Sequence, residues 1–289
     1  MGILLITITS LLQQAEGMTM RRYGKKHAVG GMFFNAIISL AAMVFFFLTD
    51  KNGLCFPKEL WIYGIISALC FATGFYSMFL ALRLGSFVAT KMISSFSGIF
   101  PIVYGIAFLK EPADLFIYLG IALVFLSMFL MNYSKKETED SNEKKSFSMK
   151  WLICVLVTAV ANGGIGILTR MQQIHFGGAY DNEFMILSFG GSFLFLLLLS
   201  LAQERDRMGY ILKHGTPYGL LTGLVNGSKN LINMFVYFYI PISLASPIRT
   251  GIELIMSFLI SILLYKEKLT KLQLASVIIG AVALMLFAL

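Results

Sequence analysis

The chain has 289 residues, 57% of them hydrophobic and 13% charged, and its formal net charge is +8; its mean hydropathy is +0.79. So few charges cannot cover a soluble surface, and the composition also excludes a disordered chain, a coiled coil and collagen. What fits is an all-α polytopic membrane protein, because ten spans of roughly 20 apolar residues would leave only about 90 residues for loops and a linker.

Ten apolar windows follow in chain order. The first covers 2–20. It lacks a basic leader and a small-residue cleavage site, so it reads as a retained helix. Thr9, Gln13 and Glu16 fall at i, i+4 and i+7 and share a face. Glu16 is placed either to carry a proton or to offset a nearby cation. The second and third windows are 29–49 and 60–82. The fourth, 87–109, sets Lys91, Ser94, Ser95 and Gly98 on one face, and Pro101 predicts a kink that can serve as a hinge. Lys91 either lines an interior cavity or snorkels to the headgroups. The fifth window is 114–132. The stretch 134–148 is polar and mixed in charge. It reads as a flexible cytoplasmic linker between a first half, 1–133, and a second, 149–289.

The sixth window, 150–169, carries Thr158 and Asn162, then Gly163, Gly164 and Gly166. The glycines read as packing surface, since no Lys-Ser/Thr completes a phosphate loop. After 183–202 comes the eighth window, 216–238. Asn226, Lys229, Asn230 and Asn233 line one of its faces, and Gly219, Gly223 and Gly227 make a tandem GxxxG that allows close helix approach. This stripe is either substrate-lining or an interhelical hydrogen-bond network. Inserting a mid-depth ammonium costs at least ~2.5 kcal/mol, which favours function. The ninth window, 243–265, places Ser246, Arg249, Thr250, Glu253 and Ser257 together. Arg249 and Glu253 are spaced to pair along the helix. Pro247 frees backbone carbonyls there and is a second candidate hinge. The tenth window is 271–288.

The halves look like copies. A shift of 156 residues lays Lys110-Glu111 on Lys266-Glu267 and Ala89 on Ala245. Five spans per half is an odd number, so the second copy enters from the opposite side, as in the inverted repeats of secondary transporters. Loop charge agrees: loops after odd-numbered windows hold 16 of the 23 Lys and Arg, and those after even-numbered windows hold 4. The positive-inside rule then makes the basic side cytoplasmic and both termini extracytoplasmic. It also explains the basic excess without nucleic acid.

The "AL-x-L-G-S" run at Ala81-Leu82-Arg83-Leu84-Gly85-Ser86, with Pro101, Glu111 and Gly120 after it and Ala245, Glu267 and Gly280 in the second half, resembles the drug/metabolite transporter superfamily. The EamA-like branch is the most similar. That resemblance implies ten spans in two repeats, small-metabolite export and cytoplasmic termini. The run "QQAEGMTMRR" also resembles the first helix of small multidrug-resistance proteins, but it puts Gln14 where those carry a proton-coupling Glu. Glu111 and Glu267, at span ends, read as interfacial structure.

The candidate substrate-binding set is therefore Gln13, Glu16, Lys91, Ser95, Asn162, Asn226, Lys229, Asn230, Asn233, Arg249 and Glu253, with Pro101 and Pro247 as hinges. Lys91, Lys229 and Arg249 against Glu16 and Glu253 leave a mildly cationic interior, suited to an anionic or zwitterionic metabolite. Cys55, Cys70 and Cys154 are too scattered for a disulfide framework or a metal site. His27, His175 and His214 fall in loops, and no nucleophile–base pair lies within the spans, which disfavours an enzyme. No cofactor is expected. Without a nucleotide site, energy comes from proton coupling or exchange. The expected surroundings are a lipid bilayer, in a cell (inner) membrane, with the chain as monomer or homodimer. A lipid or lipid-phosphate carrier is the alternative.

Overall fold

The computed structural model describes residues 2–27, 29–50, 53–85, 87–111, 114–138, 149–263 and 271–286. Its elements are α1 Gly2–His27, α2 Met32–Thr49, α3 Lys58–Leu84, α4 Phe87–Ser94, α5 Ile99–Ala107, α6 Leu115–Thr138, α7 Met149–Phe176, α8 Asp181–Gln203, α9 Met208–Tyr239, α10 Ile242–Leu263 and α11 Lys271–Leu286. Among the described residues, each of the ten apolar windows falls largely on helix. Four helices, α2, α3, α7 and α8, are each long and apolar enough to cross a membrane.

The helix ends follow from local chemistry. Gly30 (φ +63°) turns the chain between α1 and α2, and Gly177 (φ +63°) and Gly178 (φ +80°) turn it between α7 and α8, in a region that glycine enters without steric cost. Pro57 precedes α3, and Pro241 precedes α10. Helices α1, α7 and α9 outrun their apolar windows because Lys, Arg, Gln and Met continue a helix already nucleated. For the same reason α6 runs to Thr138, so the first five residues of the expected linker are helical. Residues 139–148 lie outside the described residues.

The fourth window is broken. A 3-10 turn over Ser95–Gly98 separates α4 from α5. Pro101 has no N–H to give and its ring crowds the carbonyl four residues back, at Ser97, so the break sits where the proline puts it. Pro247 acts differently. Helix α10 runs unbroken through it, because the residue is close to the helix start and only the Ser243 carbonyl loses a partner.

Helix α2 packs on α8 and α9, α3 on α7 and α8, α1 on α9 and α10, and α6 on α11. Gly219, Gly223 and Gly227 face α2. A Cβ on Gly223 would stand 2.5 Å from the Ile38 carbonyl oxygen and 2.5 Å from the Ala41 methyl, so the two backbones touch there. Gly163 and Gly166 receive Phe100 and Pro101 in the same way. Phe34, Phe46, Phe79, Phe189 and Tyr23 fill the space between helices, all fully buried.

Glutamates tie helix starts across the bundle. Glu204, just beyond α8, accepts hydrogen bonds from the backbone N–H groups of Gly31 (2.7 Å), Met32 (3.2 Å) and Phe33 (3.0 Å) at the start of α2. At the other end of the same helix pair, Glu183 near the start of α8 accepts from the Cys55 N–H at 3.2 Å, in the loop beyond α2. Helices α2 and α8 therefore run antiparallel. A carboxylate on exposed helix N–H groups satisfies donors that have no partner within the helix and opposes the helix dipole.

Candidate functional site

A cavity of about 140 Å³ lies in the middle of the bundle, walled by α1, α3, the α4–α5 break, α7, α9 and α10. Ten of the eleven residues singled out as substrate-binding line it, as does Pro101. The eleventh, Ser95, lies in the 3-10 turn, and its side chain is outside the described residues. Pro247 does not line the cavity.

The centre of the site is an ion pair between the half-chains. Lys229 Nζ stands 2.6 Å from Glu16 Oε2 and donates to Gln13 Oε1 at 2.7 Å. Asn226 Nδ2 donates to Glu16 Oε1 at 2.9 Å, and Asn230 Nδ2 donates to the Asn226 side-chain oxygen at 2.8 Å. Gln13 and Glu16 share a face of α1; Asn226, Lys229 and Asn230 share a face of α9. The pair is buried, with side-chain exposures of 12% for Lys229 and 7% for Glu16. Glu16 is placed as the countercharge of Lys229.

Lys91 is 7% exposed and donates to the Gln13 carbonyl at 3.1 Å, so it points inward and does not snorkel. It lies against α1 where Gly17 leaves room, since a Cβ on Gly17 would collide with the Lys91 side chain.

Arg249 departs from expectation. The pairing with Glu253 along α10 does not form, and Arg249 makes no ion pair among the described residues. Its Nη1 donates to the Tyr237 hydroxyl at 3.2 Å, and the guanidinium carbon stands 5.6 Å from the Tyr237 ring centroid. Its Nε and Nη2 are buried without a hydrogen-bond partner. The tyrosine draws the guanidinium off its own helix, because a ring face plus a hydroxyl outweighs an Arg-then-Glu pair in the weaker orientation. Glu253 is left facing the cavity; its backbone carbonyl takes the Gln14 amide at 3.4 Å.

The cavity thus contains three cations and two carboxylates, with one carboxylate neutralising Lys229. Two N–H donors of a planar fork remain free on Arg249, in the geometry that takes a carboxylate or phosphate bidentately. Asn162, Asn233, Ser246 and Thr250 add neutral polar groups, while Phe71, Phe75 and Met78 of α3 form an apolar wall.

Two residues outside the predicted set complete this region. Tyr237, 4% exposed, sits within an aromatic run near the end of α9 that carries no polar spacing to mark it. Arg170 reads as an ordinary loop cation at a span end. In the structure its Nη1 donates to the Tyr237 carbonyl at 2.9 Å and its Nη2 lies 3.5 Å from Glu111 Oε1. Glu111 in turn accepts the backbone N–H groups of Ile242 (3.3 Å) and Ser243 (2.8 Å) at the start of α10. Its structural role at a span end is visible; Glu267 lies outside the described residues.

Residues 1–133 match the model of the EamA-like transporter family. No curated protein matches the chain. Among solved structures 28 chains match. One of them, titled only "Crystal structure of protein", superposes with a TM-score of 0.68 at 11% sequence identity, covering 100% of this chain and 98% of that one. At that identity the likeness is one of fold.

Proposed function

We propose that the chain, whose residues 1–133 match the EamA-like transporter family and which has apolar helices long enough to cross a membrane, is a multi-pass membrane transporter that moves an anionic or zwitterionic metabolite by alternating access. The reading is of a secondary transporter and exporter, driven by proton coupling or exchange. Its ten passes form two inverted five-helix repeats, 1–133 and 149–289, joined on the cytoplasmic side, with both termini extracytoplasmic. Pairwise packing supports the repeat: α1 meets α9 as α7 meets α3, and α2 meets α9 as α8 meets α3. These pairs exchange under a two-fold axis in the membrane plane, on which antiparallel α2 and α8 cross.

The observation that carries the substrate class is the Arg249 guanidinium in the central cavity, whose Nε and Nη2 have no hydrogen-bond partner and which forms no salt bridge with Glu253 among the described residues. A buried guanidinium whose N–H groups lack acceptors is costly. A substrate carboxylate or phosphate supplies that anion on binding, and Gln13, Asn226 and Asn233 supply neutral donors and acceptors for the remainder.

The test is thermal stabilisation of the purified protein by carboxylates, sugar phosphates, amino acids and cationic drugs, since a ligand that binds only the folded state raises the melting point. Anions or zwitterions should raise it, and the shift should vanish in Arg249→Gln. A shift from cationic drugs alone would sink the assignment.

A further inference from the structure

A second cavity, of about 390 Å³, opens where α7 and α9 end and α10 begins. Among the described residues Arg170 is the only charged side chain lining it, and Tyr237 is a wall of both this cavity and the central one. Tyr237 thus separates two guanidinium groups. Its hydroxyl accepts from Arg249 on the inner side, and its backbone carbonyl accepts from Arg170 on the outer side.

Arg170 is only partly neutralised. Its nearest carboxylate, Glu111, is 3.5 Å away and already holds two backbone N–H groups of the α10 start. That carboxylate is shared between a helix dipole and the arginine. Arg170 Nε is buried and has no hydrogen-bond partner. With Nη1 on the Tyr237 carbonyl and Nη2 held only at 3.5 Å by Glu111, an arginine that is 22% exposed and lines an open cavity has donors that an entering anion can take.

We propose that the outer cavity is a second binding site, in which Arg170 takes the carboxylate or phosphate of a small molecule one step before or after Arg249 takes it in the centre. Tyr237 is the partition between the two seats. Its ring must leave the Arg249 guanidinium for an anion to pass, and an anion arriving at Arg249 replaces the hydroxyl that it gives up. The place of this seat on a transport route rests on the proposed function above; its existence as an anion site does not.

The experiment reads the site without transport. In the purified full chain, Cys55, Cys70 and Cys154 are changed to Ser and one thiol is introduced by Ile174→Cys, at an exposed position lining the outer cavity. An anionic methanethiosulfonate (sulfonatoethyl) should label this thiol faster than a cationic one (trimethylammoniumethyl), each rate taken relative to a free thiol. Adding Arg170→Gln should lower that ratio about tenfold, the effect of one nearby charge, while Arg170→Lys should keep most of it. Acetate or inorganic phosphate should slow labelling by neutral methyl methanethiosulfonate, and Arg170→Gln should abolish the protection. Protection by acetate alone would make the seat one for carboxylates, and by phosphate alone one for phosphates. Should Arg170→Gln fail to fold, Glu111→Gln serves instead, because its amide oxygen can still accept from α10 while its charge is gone; it should raise the ratio. A ratio unmoved by these variants, or no protection by either anion, overturns the proposal. Arg249→Gln should leave protection at Ile174→Cys intact while removing stabilisation by ligands of the central cavity, so the two sites fail separately.

Discussion

Glu16 and Lys229 form a buried pair in the proposed site, where folding and function would draw on the same side chains. Removing one member of a buried pair strands the other and costs about 3–5 kcal/mol. Lys229→Gln should therefore lower the melting point as well as abolish transport. The double variant Glu16→Gln/Lys229→Gln strands no charge and should regain most of the lost stability, measured by thermal unfolding, while transport into proteoliposomes stays absent. Recovery of transport together with stability would assign the pair to structure alone. The residues of this pair were legible in the sequence because polar groups spaced i, i+3, i+4 and i+7 on an apolar helix have one face to share. Arg249 was legible as a buried cation but not as an unpaired one. Its partner, Tyr237, comes from α9, and tertiary contact overrode the local spacing with Glu253. Arg170 was hidden for the opposite reason: a basic residue at a span end is ordinary, and only the fold brings Tyr237 and Glu111 to it.

At the scale of helices, the seam between α2 and α9 has no slack. Gly223→Ala places a methyl 2.5 Å from the backbone oxygen of Ile38, which cannot turn aside as a side chain could. The helices must separate, at a cost of about 1–3 kcal/mol. A clear fall in melting temperature should follow for Gly223→Ala and none for Gly209→Ala, where nothing stands within 4 Å; equal behaviour would contradict the seam. The tandem GxxxG announced this contact in the sequence, although not which helix would meet it. Pro101 announced the break over Ser95–Gly98. Pro101→Ala restores the missing N–H, so it should raise the melting temperature and slow transport by stiffening the wall that holds Lys91. Unaltered turnover with higher stability would remove the hinge role. The limits of α1, α7 and α9 were less legible, because a helix does not stop where the hydrocarbon does.

Across the whole molecule, hydropathy carried the helical architecture of the described residues, while the proposed two-part layout rests on five windows per half and on the charge of the loops. Orientation is the part with a direct test. With Cys55, Cys70 and Cys154 changed to Ser, a thiol at Ser141→Cys, in the segment proposed to face the cytoplasm, should resist a membrane-impermeant maleimide on intact cells and react after permeabilisation. Labelling of intact cells would reverse the topology. The two proposed halves are also stitched reciprocally. Glu204 from the second holds the start of α2 in the first, and Glu111 from the first holds the start of α10 in the second. Fragments 1–138 and 149–289 should accordingly accumulate in the membrane when expressed together and be degraded when expressed singly.

The same stitching sets an order in time. The backbone N–H groups at Gly31, Met32 and Phe33 leave the ribosome well before Glu204 exists. At ~5–20 residues per second the interval is roughly ten to thirty seconds. Throughout it the nascent chain has the Glu16 carboxylate without Lys229 and a bare α2 face without its glycine partner. The proposed first half should thus wait unfinished until α9 arrives, and slowing translation between the two halves should lower the amount of intact protein recovered from the membrane.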